Sequence, residues 1–230
     1  MAAEDVTAVR TVPLFARRDG GPHLPPVLML HGLGETSASW EHVTERLARN
    51  HHVVAVDLRG HGQSPWPGEY DFASMRDDVL AFIDESRWSR LALVGHSLGG
   101  VVAFMVAVAV PERIEWLVVE DATPPRPRPL RPVPERPSHE LPFDWSAAVV
   151  MRRQVTDGLP ELWAELGRIQ APTLLVGGGP SSPLDQDDIA EAARLIPDAE
   201  VVTIDVGHDV HENAPGAFVD AVEAWRSRIS

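Results

Sequence analysis

The sequence predicts an α/β fold: a mostly parallel central sheet with helices on both faces and a short helical lid. Three observations carry that expectation. Short aliphatic runs alternate with longer segments of helical spacing, and strand–helix–strand repeated in this way builds a parallel sheet that must be covered on both sides. The aliphatic runs end at Gly, Asp or His, residues suited to turns where side chains can gather at the carboxyl ends of strands. A single proline-dense tract, residues 124–142, interrupts the rhythm.

Taken in order, Val27–Leu30, Val53–Val56, Leu91–Val94, Leu117–Val119, Thr173–Val176 and Val201–Ile204 read as buried strands, being short and mostly aliphatic. Between the first pair, residues 38–50 place Trp40, Val43 and Leu47 on one helical face; residues 72–88 do the same with Met75, Val79, Phe82 and Ile83. Proline at the density of 124–142 excludes helix and central strand. Helical spacing resumes at 144–155 and 159–166. The whole insert, 123–171, is too short and too poor in apolar residues to fold alone. It is expected to form a lid on a core made of residues 1–122 and 172–230.

Composition narrows the chemistry. The 230 residues carry a formal charge of −14, a field that repels phosphate backbones, so nucleic acid is not an expected partner. There is no cysteine, hence no disulfide, thiolate nucleophile or cysteine metal site. All twenty basic residues are arginines. Without lysine there is no Schiff-base nucleophile and no lysine-anchored pyridoxal phosphate. The start of the chain, Met1-Ala2-Ala3-Glu4-Asp5, is acidic and unlike a secretion signal. The longest apolar run, Val101–Val110, is about half of the ~20 residues that cross a membrane. The expectation is a soluble, cytoplasmic protein with no membrane partner; oligomeric state is not indicated.

Gly95-His96-Ser97-Leu98-Gly99-Gly100 lies between an aliphatic strand and an apolar helix. A serine hydroxyl becomes a useful nucleophile when it is exposed and set beside a base. A tight strand-to-helix turn exposes Ser97, and its neighbours must be small. The amide of Leu98, at the start of the helix, is aimed to stabilise an oxyanion. His31-Gly32-Leu33-Gly34 follows another buried strand, and its glycines let the Leu33 amide supply a second donor. His31 itself reads as a loop brace. Near the C-terminus, Gly207-His208 follows a strand and places His208 on the same sheet edge as Ser97, as its base. His211 and Glu212 close by raise a metal alternative, but no His-Glu-x-x-His spacing is present, and no metal is expected. The remaining histidines, including His51 and His52, read as solvated.

Together these segments resemble the α/β-hydrolase superfamily. Asp57-Leu58-Arg59-Gly60-His61-Gly62-Gln63-Ser64 is similar to a loop common in that family, and Pro111-Glu112-Arg113-Ile114 to its Pro-Glu-Arg-Val. The similarity runs from about Val27 to Ile229, and the 57–64 loop is expected to be structural. Much of the family places its acid after the strand that here reads Leu174-Leu175-Val176, yet Ser181 stands at that position. Two carboxylates can replace it. Asp185 precedes a helix start and suits an N-cap. Asp121 ends the strand before the insert, where some members carry their acid, and is the preferred candidate; Glu120 should point to the opposite face.

The resemblance implies acyl transfer by Ser97, with His208 as base and Asp121 as acid, on a small-molecule ester or lactone and without a cofactor. Perhydrolase or carbon–carbon hydrolase activity, or a non-catalytic ligand-binding role, are the alternatives. Leu141, Phe143, Trp145, Met151 and Trp163 are candidates for an acyl pocket or for simple packing. Arg126, Arg128, Arg131 and Arg136 form a basic patch that could steer an anionic substrate or only solubilise the tract.

Overall fold

The computed structural model describes residues 11–129, 132 and 135–229; Arg131 lies outside them. Seven strands form one sheet, β1 (Ala16–Asp19), β2 (Pro26–Leu30), β3 (His52–Val56), β4 (Leu91–His96), β5 (Ile114–Glu120), β6 (Thr173–Gly177) and β7 (Ala199–Thr203), in the order β1-β3-β2-β4-β5-β6-β7. Only the β1–β3 pairing is antiparallel. After β2 the chain moves outward to β3, then crosses back to lay β4 on the other side of β2. Winding therefore reverses between β2 and β4, and that reversal opens a crevice at their carboxyl ends.

Strand alternation divides the interior into two layers. Leu28, Leu30, Leu93 and Val119 face α2 (Phe72–Glu85), α3 (Ser97–Ala109) and α6 (Gln186–Leu195). Val27, Met29, Val94 and Val118 face α1 (Glu41–Leu47), the short α7 (Val210–Asn213) and α8 (Pro215–Ile229). The apolar run at Val101 is α3, buried on nearly every side, as a helix covered by sheet and neighbours should be. Each fully buried Val or Phe in it contributes about 1.5–3 kcal/mol of transfer free energy. No helix among the described residues is long and apolar enough to cross a membrane.

Three expectations need correction. The strand read as buried at 201–204 is β7, whose Glu200, Val201 and Thr203 are exposed; among the described residues it pairs with β6 alone, at the edge of the sheet. β1 escaped the reading because Ala16-Arg17-Arg18-Asp19 is polar, as an edge strand can be. Residues 38–50 do not form one helix: a 3-10 turn at Ser37–Trp40, capped by the Thr36 hydroxyl, precedes α1. Trp40, Val43 and Leu47 are nevertheless all buried.

The described residues of the 123–171 segment form no helix or strand before α4 (Trp145–Asp157) and α5 (Pro160–Glu165), which lead back to the sheet. The residues just before α4 are tied to the 57–64 loop, where Gly62 N–H donates to Pro142 O (2.7 Å) and Asp144 N–H to Gly60 O (2.8 Å). The Tyr70 hydroxyl donates to the Asp144 carboxylate at 2.8 Å. Phe143 stacks on His61 and leans against Trp145, while Trp163 lies under the Arg126 guanidinium, 4.1 Å away. These aromatics pack the segment down.

Candidate active site

Ser97 sits at the junction of β4 and α3 with φ of +51°. A side-chain-bearing residue held in that left-handed region costs about 1–3 kcal/mol, so surrounding structure must impose it. Gly99 shows how: its N–H donates to His31 O at 3.1 Å, and a Cβ there would stand 2.4 Å from Leu30 O. The Ser97 turn and the loop after β2 thus touch through bare backbone.

His208 is carried by the loop between β7 and α7. Its Nε2 lies 2.9 Å from Ser97 Oγ and its Nδ1 2.6 Å from the Asp121 carboxylate. With Nδ1–H donating to the carboxylate, Nε2 is left with a lone pair for the serine hydroxyl. Asp121 is buried at the end of β5, also in the left-handed region at φ +42°. It accepts from Gly178 N–H (2.8 Å) and the Ser182 hydroxyl (2.5 Å) as well as from His208, with Gln186 Nε2 at 3.4 Å. Burial alone would raise the Asp121 carboxyl, but these donors, His208 foremost, hold it below the ordinary range. Asp185 does what its position before a helix suggested: it caps α6, accepting from Asp187 N–H at 3.0 Å.

The loop bearing Leu33 is braced by two neutral histidines. His31 Nδ1–H donates to Gly32 O (2.7 Å) and Nε2 accepts Leu58 N–H (3.0 Å). His61 Nδ1–H donates to Arg59 O (3.0 Å) and Nε2 accepts Gly34 N–H (3.2 Å). Burial lowers both, His61 to about 3, so neither carries charge near neutrality. The 57–64 loop is held by its own polar groups: Asp57 accepts the Ser37 and Gln63 amides, and Arg59 pairs with buried Asp78 at 2.5 Å.

The sequence model of a family described as alpha/beta hydrolase fold matches residues 25–165. The chain belongs to the α/β-hydrolase fold family. Among relatives of known name, it is 25% identical to the sn-1-specific diacylglycerol lipase ABHD11 of Mus musculus, over 94% of this chain and 86% of that one. Among solved structures, a marine microorganism esterase superimposes with a TM-score of 0.79 at 21% identity, covering 93% of this chain and 99% of the other. The enol-lactonase from Burkholderia xenovorans LB400 gives 0.78 at 20% identity, covering 94% and 97%. At these identities the superpositions show a shared α/β-hydrolase fold.

In this α/β-hydrolase a cavity of about 560 Å³ opens over Ser97 and His208, lined also by Leu33, Leu98, Met151 and Leu184. Of the apolar residues considered for it, only Met151 lines it; Leu141, Phe143, Trp145 and Trp163 do not. Arg126 and Arg128 reach the lining, but Arg126 is already paired with Asp188 (2.8 Å) and Glu191 (2.6 Å).

The expectation that the remaining histidines are solvated holds for His23, His42 and His139, which are exposed, and fails elsewhere. His51, His61, His96 and His211 are all buried, each with a hydrogen-bonded or ion-paired partner that compensates its lost hydration. The metal alternative shifts as well. Among the described residues, ligand-type atoms come within 4.8 Å of one another in two groups that share His96: Glu35, His96 and His211, and His96, His208 and Asp209. In the first group the atoms are engaged with one another as ion pairs: Glu35 lies 3.0 Å from His96 and 3.8 Å from His211.

Sequence reasoning missed Gly178, Ser182 and Gln186 around Asp121, and the whole Glu35–His96–His211–Glu120 cluster. One signal was present: adjacent carboxylates at 120 and 121 end a strand opposite histidines at 208 and 211, two pairs that strand alternation sends to opposite faces.

Proposed function

We propose that the chain is a serine hydrolase that cleaves a carboxylic ester or lactone through an acyl-enzyme on Ser97. The observation that carries this reading is the continuous line from the Asp121 carboxylate through the His208 ring to Ser97 Oγ, at 2.6 and 2.9 Å, on the wall of the cavity. Both spacings are those of working hydrogen bonds between an orienting acid, a base and a nucleophile.

In this mechanism Ser97 Oγ bonds to the substrate carbonyl carbon while its proton passes to His208 Nε2. The carbonyl oxygen becomes an oxyanion facing the amides of Leu33 and Leu98, and each such donor is worth about 3–4 kcal/mol in the transition state. Asp121 stays ionised and stabilises the imidazolium. Collapse of the tetrahedral intermediate breaks the carbon–oxygen bond, and the departing alkoxide takes the proton from His208. Water then attacks the acyl-serine ester, giving its proton to His208. Collapse releases the acid, and the proton returns to Ser97. With a lactone the departing alkoxide stays tethered, and a hydroxy acid is the product. Every proton is carried by His208, so the cycle closes without a cofactor.

Intact mass after exposure to a fluorophosphonate probe tests the reading. One adduct on the wild type and none on Ser97→Ala is the expected result. Folded wild type that takes no adduct would overturn it. A panel of p-nitrophenyl esters of increasing acyl length, with γ- and δ-lactones alongside, then separates ester from lactone preference.

A further inference from the structure

Behind Ser97, away from the cavity, lies a set of charged groups that the proton path does not use. His96, immediately before Ser97, is completely buried. Its Nε2 lies 3.1 Å from the backbone carbonyl of His208 and its Nδ1 3.0 Å from Glu35 Oε1. Nε2 thus faces a backbone acceptor, while Nδ1 meets Glu35 as a close ion pair outside good hydrogen-bond alignment, and a doubly protonated ring suits both contacts. Glu35 uses its other oxygen to accept Gly32 N–H at 3.1 Å. Gly32 is needed for this contact: a Cβ there would stand 2.5 Å from Glu35 Oε1 and 2.7 Å from His96 Nδ1.

The surroundings favour a cation on His96. Asp209 Oδ1 lies 3.7 Å from Nε2. Glu120, buried nearby, accepts both the backbone N–H and Nδ1–H of His211 at 2.9 Å. The His211 ring packs 4.8 Å from that of His96, with Trp40 stacked on it. Burial would pull His96 down, but Glu120 and then Glu35 push it up to about 9. Burial would likewise raise Glu35, yet its contact with His96 brings it down to about 2.

We propose that Glu35 and His96 are positioning residues, an ion pair that locks the loop carrying Leu33 to the loop carrying His208 through the residue preceding the nucleophile. The proposal rests on the serine-hydrolase reading of Ser97. Three loops from β2, β4 and β7 must hold an oxyanion donor, a nucleophile and a base in one geometry, and displacements near 1 Å can cost about a hundredfold in rate. The pair fixes two of those loops to the backbone of the third. It touches neither the cavity nor the substrate, so its loss should lower turnover and leave substrate affinity nearly unchanged.

The test compares Glu35→Gln, His96→Ala and His96→Gln with the wild type, each first shown to be folded by circular dichroism. Glutamine at 96 retains one N–H where Nε2 stood and can still reach His208 O. The readouts are the second-order rate of fluorophosphonate labelling and kcat and KM on a p-nitrophenyl ester. His96→Ala and Glu35→Gln should label and turn over 10- to 100-fold more slowly, with KM within about threefold of wild type, while His96→Gln, which keeps the bond to His208 O but not the charge facing Glu35, recovers part of the loss. Equal rates in His96→Ala and wild type would overturn the proposal, as would equal losses in the alanine and glutamine variants. Wild type that does not label at all would instead overturn the serine-hydrolase reading. A measurement independent of the variants' folding is the ¹⁵N spectrum of histidine-labelled wild type at pH 7.5: two protonated ring nitrogens on His96 support the pair, and a neutral ring overturns it.

Discussion

Two carboxylate–histidine pairs stand back to back at the end of β5. Asp121 holds His208 at 2.6 Å; Glu120 holds His211 at 2.9 Å. The first pair faces the cavity, where His208 keeps a part-exposed ring with Nε2 directed at Ser97. The second is sealed on the opposite face, with both side chains fully buried and Trp40 stacked on the imidazole. Residue chemistry is the same in both, so it does not decide which pair can act. Position at the strand end does: Glu120 closes β5, whereas Asp121 follows it in the left-handed region at φ +42°, and of the two only Asp121 lines the cavity. An ionisable pair with a nucleophile and a cavity is a candidate for chemistry. The same pair without them is part of the interior, where its partners must repay the cost of burial.

The comparison can be broken at either pair. The largest effect is expected from Asp121→Asn, which keeps the shape but withdraws the charge that fixes the His208 tautomer. On the reading proposed here, kcat on an active ester should fall by a factor on the order of 10⁴, measured under saturating substrate, with thermal stability close to wild type. Glu120→Ala should do the reverse. Removing one partner of a buried pair costs about 3–5 kcal/mol, visible as a lower urea midpoint, while the folded fraction loses far less activity than Asp121→Asn. If the two variants gave the same profile, the distinction between the faces would be wrong.

A third prediction concerns pH. His96 is raised in the folded protein from 6.5 to about 9. Its contribution to stability is therefore complete below pH 6.5 and is lost as pH rises from there through 9. Glu35 is lowered from 4.5 to about 2, so its share is present above pH 4.5 and is lost as pH falls toward 2. Urea midpoints measured from pH 6 to 10 should decline across the upper window in wild type and decline less in His96→Gln; an identical slope in both would remove His96 as the cause. The smallest effect is reserved for Asp185→Asn. Asparagine caps a helix about as well as aspartate, so both kcat and stability should stay close to wild type, and a loss comparable to Asp121→Asn would reopen the choice of acid.

Much of this was legible without coordinates because local chemistry dictated it. Gly95, Ser97 and Gly99 between an aliphatic strand and an apolar helix can hardly be anything but a tight turn, and that turn is where β4 meets α3. The six aliphatic runs lie where the inner strands and β7 do. What escaped were features whose cause is remote in sequence. β1 is polar and becomes a strand only because the edge of β3 accepts it. The burial of His96, read as solvated, and of His211, read as a metal alternative, depends on Glu35 and Glu120, which lie 61 and 91 positions away along the chain. Ser182 and Gly178 had no signature as partners of Asp121, since a hydroxyl and an amide are donors anywhere.

By itself the sequence determined the layered α/β architecture, the tight turn at Ser97, the histidine near the opposite end of the chain and the shortlist of two carboxylates. Periodicity, glycine placement and strand parity are local properties, and the chain carries them wherever it folds. Only the tertiary structure decided that Asp121, and not Asp185, meets His208. It alone gathered Glu35, His96, Glu120 and His211 into one buried cluster, and left Met151 at the cavity while Phe143, Trp145 and Trp163 packed elsewhere. The reason is that contact between distant residues depends on the order of strands in the sheet and on the face each side chain takes, and both are fixed only when all the strands are in place.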